Sequence, residues 1–194
     1  RYITQASGSA GGVHVRISPL DNRVVDIKFF DANGLDIDSA TERKIEGVFF
    51  REDYRRAYLD EVGRIVDAEN VEQTYTEAFL QALRPEALAG IARDFNLVID
   101  YANANASHIL PSILRRLEID LVELNANLDD ARIFQSGDLF EEGMERLARI
   151  TPVLDAHMGV RIDSGGEKLF LVDDAGRRLP GTQALAAVTA LVMA

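Results

Sequence analysis

The sequence predicts an α/β fold: a three-layer α/β/α arrangement around a mixed, mostly parallel sheet. Three observations carry this prediction. Short apolar runs that suit buried strands alternate along the chain with longer segments of helical period. Asn, Asp, Gly and Pro cluster between those runs, where turns are needed. From about residue 71 the order of elements is helix, strand, helix, strand, which is the rhythm of parallel strands joined by covering helices.

Taken in chain order, Gly11-Gly12 precedes Val13, Val15 and Ile17, which alternate with His14, Arg16 and Ser18. Val24 to Phe30 follows, so two strands are expected, with Pro19-Leu20-Asp21-Asn22 turning between them and Asp31-Ala32-Asn33-Gly34 closing the second. Ser18 therefore falls at a strand end, entering a loop. Asp38 or Ser39 caps a helix whose apolar residues Ile45, Val48 and Phe49 fall at helical spacing. Arg51 to Glu69 is charge-rich and weakly periodic, and it reads as a connector between domains. Beyond it, Val71 to Leu83 is a helix, Leu97-Val98-Ile99 a buried strand, Ser107 to Leu117 a helix and Ile119 to Leu124 a strand. Helix and strand alternate again at Asp138 to Ile150 and Met158 to Ile162. Leu169 to Val172 is a strand, reversed at Asp173-Asp174-Ala175-Gly176. The last segment, Gln183 to Met193, is a helix apolar on nearly every face, a pattern that ordinarily lies buried between elements.

Composition narrows the function classes. The chain has 194 residues, 47% of them hydrophobic, which is enough for a substantial core. No window approaches the ~18 to 20 uninterrupted apolar residues of a membrane span, so a membrane role is not expected. A formal charge of −11 opposes binding to nucleic acid, whose affinity rests on clustered Lys and Arg. The basic group Arg51, Arg55 and Arg56 is interleaved with Glu52 and Asp53 and reads as a solvated face. Cysteine is absent, which excludes disulfides and thiolate metal sites and suits a cytoplasmic location. His14, His108 and His157 lack ligand spacing, and His108 reads as structural. The sequence opens Arg1-Tyr2-Ile3 with neither an initiator Met nor signal architecture, so it reads as a piece of a longer chain.

Two stretches resemble the motifs of the α-D-phosphohexomutases, the phosphomannomutase and phosphoglucomutase family. The family's serine loop, T-A-S-H-N-P-x-x-Y-N-G-x-K, is similar without a gap to the run from Arg16 through Ser18 and Pro19 to Lys28, with Ser18 and Lys28 matching. Its metal loop, D-G-D-x-D-R, is similar to Asp163-Ser164-Gly165-Gly166-Glu167-Lys168. Gly11-Gly12-Val13 and Ile27 to Gly34 look like the flanking strands. Ile99-Asp100-Tyr101-Ala102-Asn103 resembles the opening of the family's second domain. The chain looks closest to the mutase-like half of fused sugar-phosphate nucleotidyltransferase and phosphomannomutase proteins.

The resemblance implies three parts: residues 1–50 as the end of a first domain, 51–178 as a complete second domain, and 179–194 as the first helix of a third. It also implies a reaction, phosphoryl transfer between C1 and C6 of a hexose phosphate such as mannose or glucose phosphate. Ser18 would carry the phosphoryl group, and Lys28 would be a charge-bearing or proton-handling neighbour. Mg²⁺ would be held by Asp163 and Glu167, weakly or not at all, because Gly165 stands where the family has an aspartate. Pro19, Leu20, Gly165 and Lys168 depart from the motifs. They favour an alternative, a catalytically degenerate module that binds sugar phosphates or regulates a fused nucleotidyltransferase. The residues taken alone leave other readings open: Ser18 as turn chemistry before a proline, Lys28 as a snorkelling side chain, and Asp163 to Gly166 as a turn between strands. Remaining domains of the full-length chain are expected partners, and the apolar last helix is expected to support a homodimer.

Overall fold

The computed structural model describes every residue except 19, 20, 22, 84–92, 134, 135 and 194. The expected turn residues Pro19, Leu20 and Asn22 therefore lie outside the described residues. The chain divides into two compact units, Arg1–Arg16 with Val25–Tyr75, and Ile17–Val24 with Thr76–Ala194.

The first unit contains a short helix α1 (Tyr2–Ala6), strands β1 (Gly12–Ile17) and β2 (Val25–Phe30), and helix α2 (Ser39–Arg51). Asp38 caps α2, its Oδ1 accepting from the Ala40 and Thr41 N–H groups at 2.8 and 3.0 Å and its Oδ2 from the Thr41 hydroxyl at 2.8 Å. These three donors hold its carboxyl below the usual range, the Thr41 hydroxyl foremost. In the β1–β2 pair Val13, Val15 and Ile17 are exposed, while Ser18 is buried and Arg16 half-buried. A two-stranded sheet has no opposite layer of its own to bury both faces. After α2 the chain runs without regular structure from Asp53, apart from a turn near Leu59, to α3 (Val71–Leu83), as the charge-rich composition anticipates.

The second unit holds a five-stranded sheet in the order β4-β3-β5-β6-β7. Its strands are β3 (Asn96–Asp100), β4 (Asp120–Leu124), β5 (Met158–Ile162), β6 (Leu169–Asp173) and β7 (Arg178–Leu179). β3 pairs parallel to both β4 and β5, whereas β5–β6 and β6–β7 are antiparallel. Helix α4 (Ala106–Arg116) connects β3 to β4; α5 (Asp130–Ile133) and α6 (Gly137–Val153) connect β4 to β5. Alternation on β3 sends Leu97, Ile99 and Tyr101 to one face, where Leu110 and Leu114 of α4 pack, and Val98 to the other, against Met144 and Leu147 of α6. The three-layer α/β/α fold with a mixed sheet follows from that two-sided burial. The final helix α7 (Gly181–Met193) carries no buried residue, so its apolar side chains face outward all round. His108 is exposed on α4.

Candidate functional site

Three strands run parallel in the second unit, so Asp100, Leu124 and Ile162 end on the same edge of the sheet. From β3 the chain leaves towards β4 on one side; from β5 it leaves towards β6 on the other. The carboxyl ends of the strands at such a divergence are where ligands bind in open α/β sheets. The loops at this edge are Tyr101–Asn105, Asn125–Asp129 and Asp163–Lys168.

The side chains buried at this edge are polar. Asp100 and Arg161, register partners across β3 and β5, form an ion pair with 1% and 3% of their side-chain surfaces exposed. Asp100 Oδ1 accepts from the Ala102 N–H at 2.9 Å and from Asn125 Nδ2 at 2.8 Å. Burial pulls the Arg161 guanidinium below its usual value, and Asp100 opposes that shift. The guanidinium lies 5.6 Å from the centroid of the Phe140 ring, within cation–π range. Asn103 ties the neighbouring loop, donating from Nδ2 to Asn127 Oδ1 at 3.0 Å and to its carbonyl at 3.2 Å. Ala102, Asn103 and Asn125 have φ of 52°, 57° and 48°, left-handed values that side-chain-bearing residues adopt at some energetic cost. Tyr101, fully buried, has a hydroxyl without a hydrogen-bond partner among the described residues, and burial pushes its pKa up.

Asp163 lies at the same edge, in the turn joining β5 to β6. Its Oδ1 accepts from the Glu167 and Lys168 N–H groups at 2.7 and 2.8 Å, and its carbonyl accepts from the Gly166 N–H at 3.0 Å. Gly166 has φ of 67°, so it is Gly166 and not Gly165 that takes the left-handed position. The carboxylate thus caps its own turn through Oδ1, which leaves Oδ2 as the oxygen available to a ligand. Glu167 is exposed on the same turn. No group of three His, Cys, Asp or Glu that could hold a metal occurs among the described residues. Mg²⁺ demands near-octahedral oxygen coordination, and this donor set does not make the three-carboxylate cage of the family loop.

Ser18 is buried, its N–H donates to the Val24 carbonyl at 2.8 Å, and its loop groups with the second unit, which also holds Asp163 and Glu167. Lys28 lies on β2 in the first unit, half-buried. Sequence reasoning missed Arg161 and Asn125, and it used Asp100 and Asn103 only as motif text. A signal was available: opposite charges near the carboxyl ends of two otherwise apolar strands, Leu97 to Asp100 and Met158 to Ile162, implicate each other once those strands are paired.

A sheet built this way, with its candidate loops on the carboxyl edge, defines an open α/β architecture. Comparison with known proteins narrows it. No family model matches the chain. The phosphoglucomutase/phosphomannomutase of Thermococcus kodakarensis is 28% identical over 193 residues, covering 100% of this chain and 42% of its own length. The phosphoglucosamine mutase of Syntrophotalea carbinolica is 28% identical over 188 residues, covering 95% of this chain and 40% of its own. A Thermus thermophilus protein described as a phosphomannomutase superposes with a TM-score of 0.77 at 19% identity, over 99% of this chain and 43% of that one. The curated relatives this chain matches are described as phosphoglucomutase/phosphomannomutase and phosphoglucosamine mutase, and the chain spans about two fifths of their length. No helix among the described residues is long and apolar enough to cross a membrane.

Proposed function

We propose that this chain is a hexose-phosphate-binding part of a mutase-like protein, with phosphoryl transfer of its own weakened or lost. One observation carries the reading: at the position of the family's three-aspartate loop, Asp163 spends Oδ1 on its own turn and no third carboxylate joins it and Glu167 among the described residues. Phosphoryl transfer places little bond-making demand on a protein and a large one on neutralising charge at the transferring oxygens. A loop short of a third carboxylate answers that demand less well, while the polar carboxyl edge of the strands still suits a sugar phosphate. Mannose or glucose phosphate is the ligand class, with the remaining domains of the full-length chain as partners and regulation of a fused nucleotidyltransferase as one use.

The grouping of buried Ser18 with the unit that holds Asp163 favours a second reading, a working mutase in which Ser18 carries the phosphoryl group, Lys28 assists it and Mg²⁺ is recruited with the phosphate. Phosphorus NMR of the full-length protein with hexose 1-phosphate, Mg²⁺ and a trace of hexose 1,6-bisphosphate separates the two. Broadening of the substrate signal without appearance of hexose 6-phosphate is expected. Interconversion that Ser18→Ala abolishes would establish the working mutase, and no binding at millimolar ligand would end both readings.

A further inference from the structure

The Asp163 turn rests on a feature that its own residues do not explain. Strand β5 is buried on both faces at its carboxyl end, yet its penultimate residue is an arginine. Arg161 is received by a cradle drawn from β3 and α6. Asp100 of β3 takes its charge, the Phe140 ring of α6 lies beside its guanidinium, and Gly143 of α6 leaves it room. A Cβ added at Gly143 would fall inside contact distance of Nη1, Nη2 and Cζ of Arg161. Asp100 is itself fixed on its other oxygen by Asn125 and the Ala102 N–H. Carboxyl ends of β4, β3 and β5 are thereby joined through charged and amide side chains, at the one edge where the candidate loops emerge.

Such a network is not the cheapest way to hold a sheet together. Removing two charges from water costs several kcal/mol per ion, and well-packed apolar residues often serve stability as well or better. What an ion pair adds is direction, because its hydrogen bonds fix one arrangement of the two backbones. We propose that Arg161 is a positioning residue: through Asp100 and Asn125 it locks the carboxyl end of β5, and with it the Asp163 turn two residues on, into the geometry that receives the sugar phosphate. The sugar-phosphate part of this inference rests on the function proposed above; the locking of the turn does not.

The molecule provides its own control. The turn at Asp173 has the same Asp-x-x-Gly form on the same sheet but leaves from β6 at the opposite end, and half-buried Leu171, two residues before Asp173 as Arg161 is two before Asp163, stands in place of a buried arginine. Amide hydrogen exchange in the full-length protein, read at Glu167 and Lys168 for the first turn and at Ala175 and Arg177 for the second, tests the lock directly. Two variants serve. Asp100→Leu with Arg161→Met removes both charges without orphaning either, and Gly143→Ala keeps both charges while displacing the guanidinium. Each is expected to speed exchange at Glu167 and Lys168 at least tenfold, to leave Ala175 and Arg177 within about threefold of the parent, and to weaken hexose 1-phosphate binding. If the double variant does not fold, Gly143→Ala still decides. Unchanged exchange at Glu167 and Lys168, or an equal rise at both turns, would overturn the lock. Faster exchange at the first turn alone with unaltered hexose 1-phosphate affinity would overturn the link to the ligand, while a parent protein that binds no hexose 1-phosphate but shows the selective change would overturn only the proposed function.

Discussion

The turns at Asp163 and Asp173 are built from the same chemistry and do different things with it. In each, an aspartate carbonyl accepts from the N–H of the fourth residue, Gly166 or Gly176, at 3.0 Å, and that glycine has positive φ, 67° or 79°. In each, Oδ1 accepts two backbone N–H groups further along the turn. Asp173 also spends Oδ2, on Arg177 Nε at 2.7 Å. A third copy closes β2, where Asp31 Oδ1 accepts from Asn33 and Leu35, both at 2.9 Å, and Gly34 has φ of 73°. The Asp163 turn differs in two respects. It is one residue longer, since Asp163 pairs with Lys168 where Asp173 pairs with Arg177, and it stands on the buried Asp100–Arg161 pair. The lesson is that an aspartate at a motif position can be occupied by the demands of its own turn, and that whatever is special about Asp163 comes from the strand beneath it.

Breaking the support beneath the first turn should have the largest effect. Asp100→Ala strands a buried guanidinium, and a loss of about 3–5 kcal/mol is expected, visible as a lower thermal midpoint of the full-length protein. Asp173→Ala, which removes a half-buried turn cap with no buried ion pair beneath it, should move that midpoint far less. An equal shift from both would erase the distinction between the two turns.

The two glycines rank next. Gly176→Ala adds left-handed strain and sets a methyl against the Ala148 carbonyl, with Pro152 Cγ at 3.3 Å. Strain and overpacking together should cost about 2 kcal/mol or more. Gly166→Ala meets nothing within 4 Å, so strain alone, about 1 kcal/mol, is expected. Thermal denaturation of the two variants side by side reads the difference, and the reverse order would show that the first turn is the more crowded.

A smaller effect lies in acid. The Arg177 backbone N–H foremost, helped by the Arg177 side chain, holds the Asp173 carboxyl below the usual carboxylate range. A folded value below the unfolded one gives stabilisation that is complete above the unfolded pKa, about 3.9, and is lost as pH falls through the folded value. The penalty of Asp173→Asn should therefore be present at pH 6 and shrink towards pH 2.5, measured as the gap between thermal midpoints. A gap independent of pH would remove the carboxylate charge from the account.

Much of this was legible beforehand because it is local. The Asp38 cap, the strands Leu97 to Ile99 and Met158 to Ile162, the charge-rich connector and the Asp-x-x-Gly turns are all written in neighbouring residues. The exposed apolar residues of β1 were not legible, because alternation shows that two faces differ but not which one is covered. Arg161 was not legible either. An arginine in a strand ordinarily reads as a surface residue, and its burial follows from a register that pairs residues 61 positions apart.

The claim that Asp163 serves its turn before it serves any cation is tested most directly by calorimetric titration of Mg²⁺ into the unphosphorylated full-length protein. Few available carboxylate oxygens and the reluctance of Mg²⁺ to shed water predict no site at this loop tighter than about millimolar. Gly165→Asp, which restores a carboxylate at a position not in the left-handed region, should then tighten binding, and Asp163→Asn added to it should abolish the gain. Sub-millimolar binding in the parent protein that disappears with Asp163→Asn would contradict the account and make Asp163 a metal ligand.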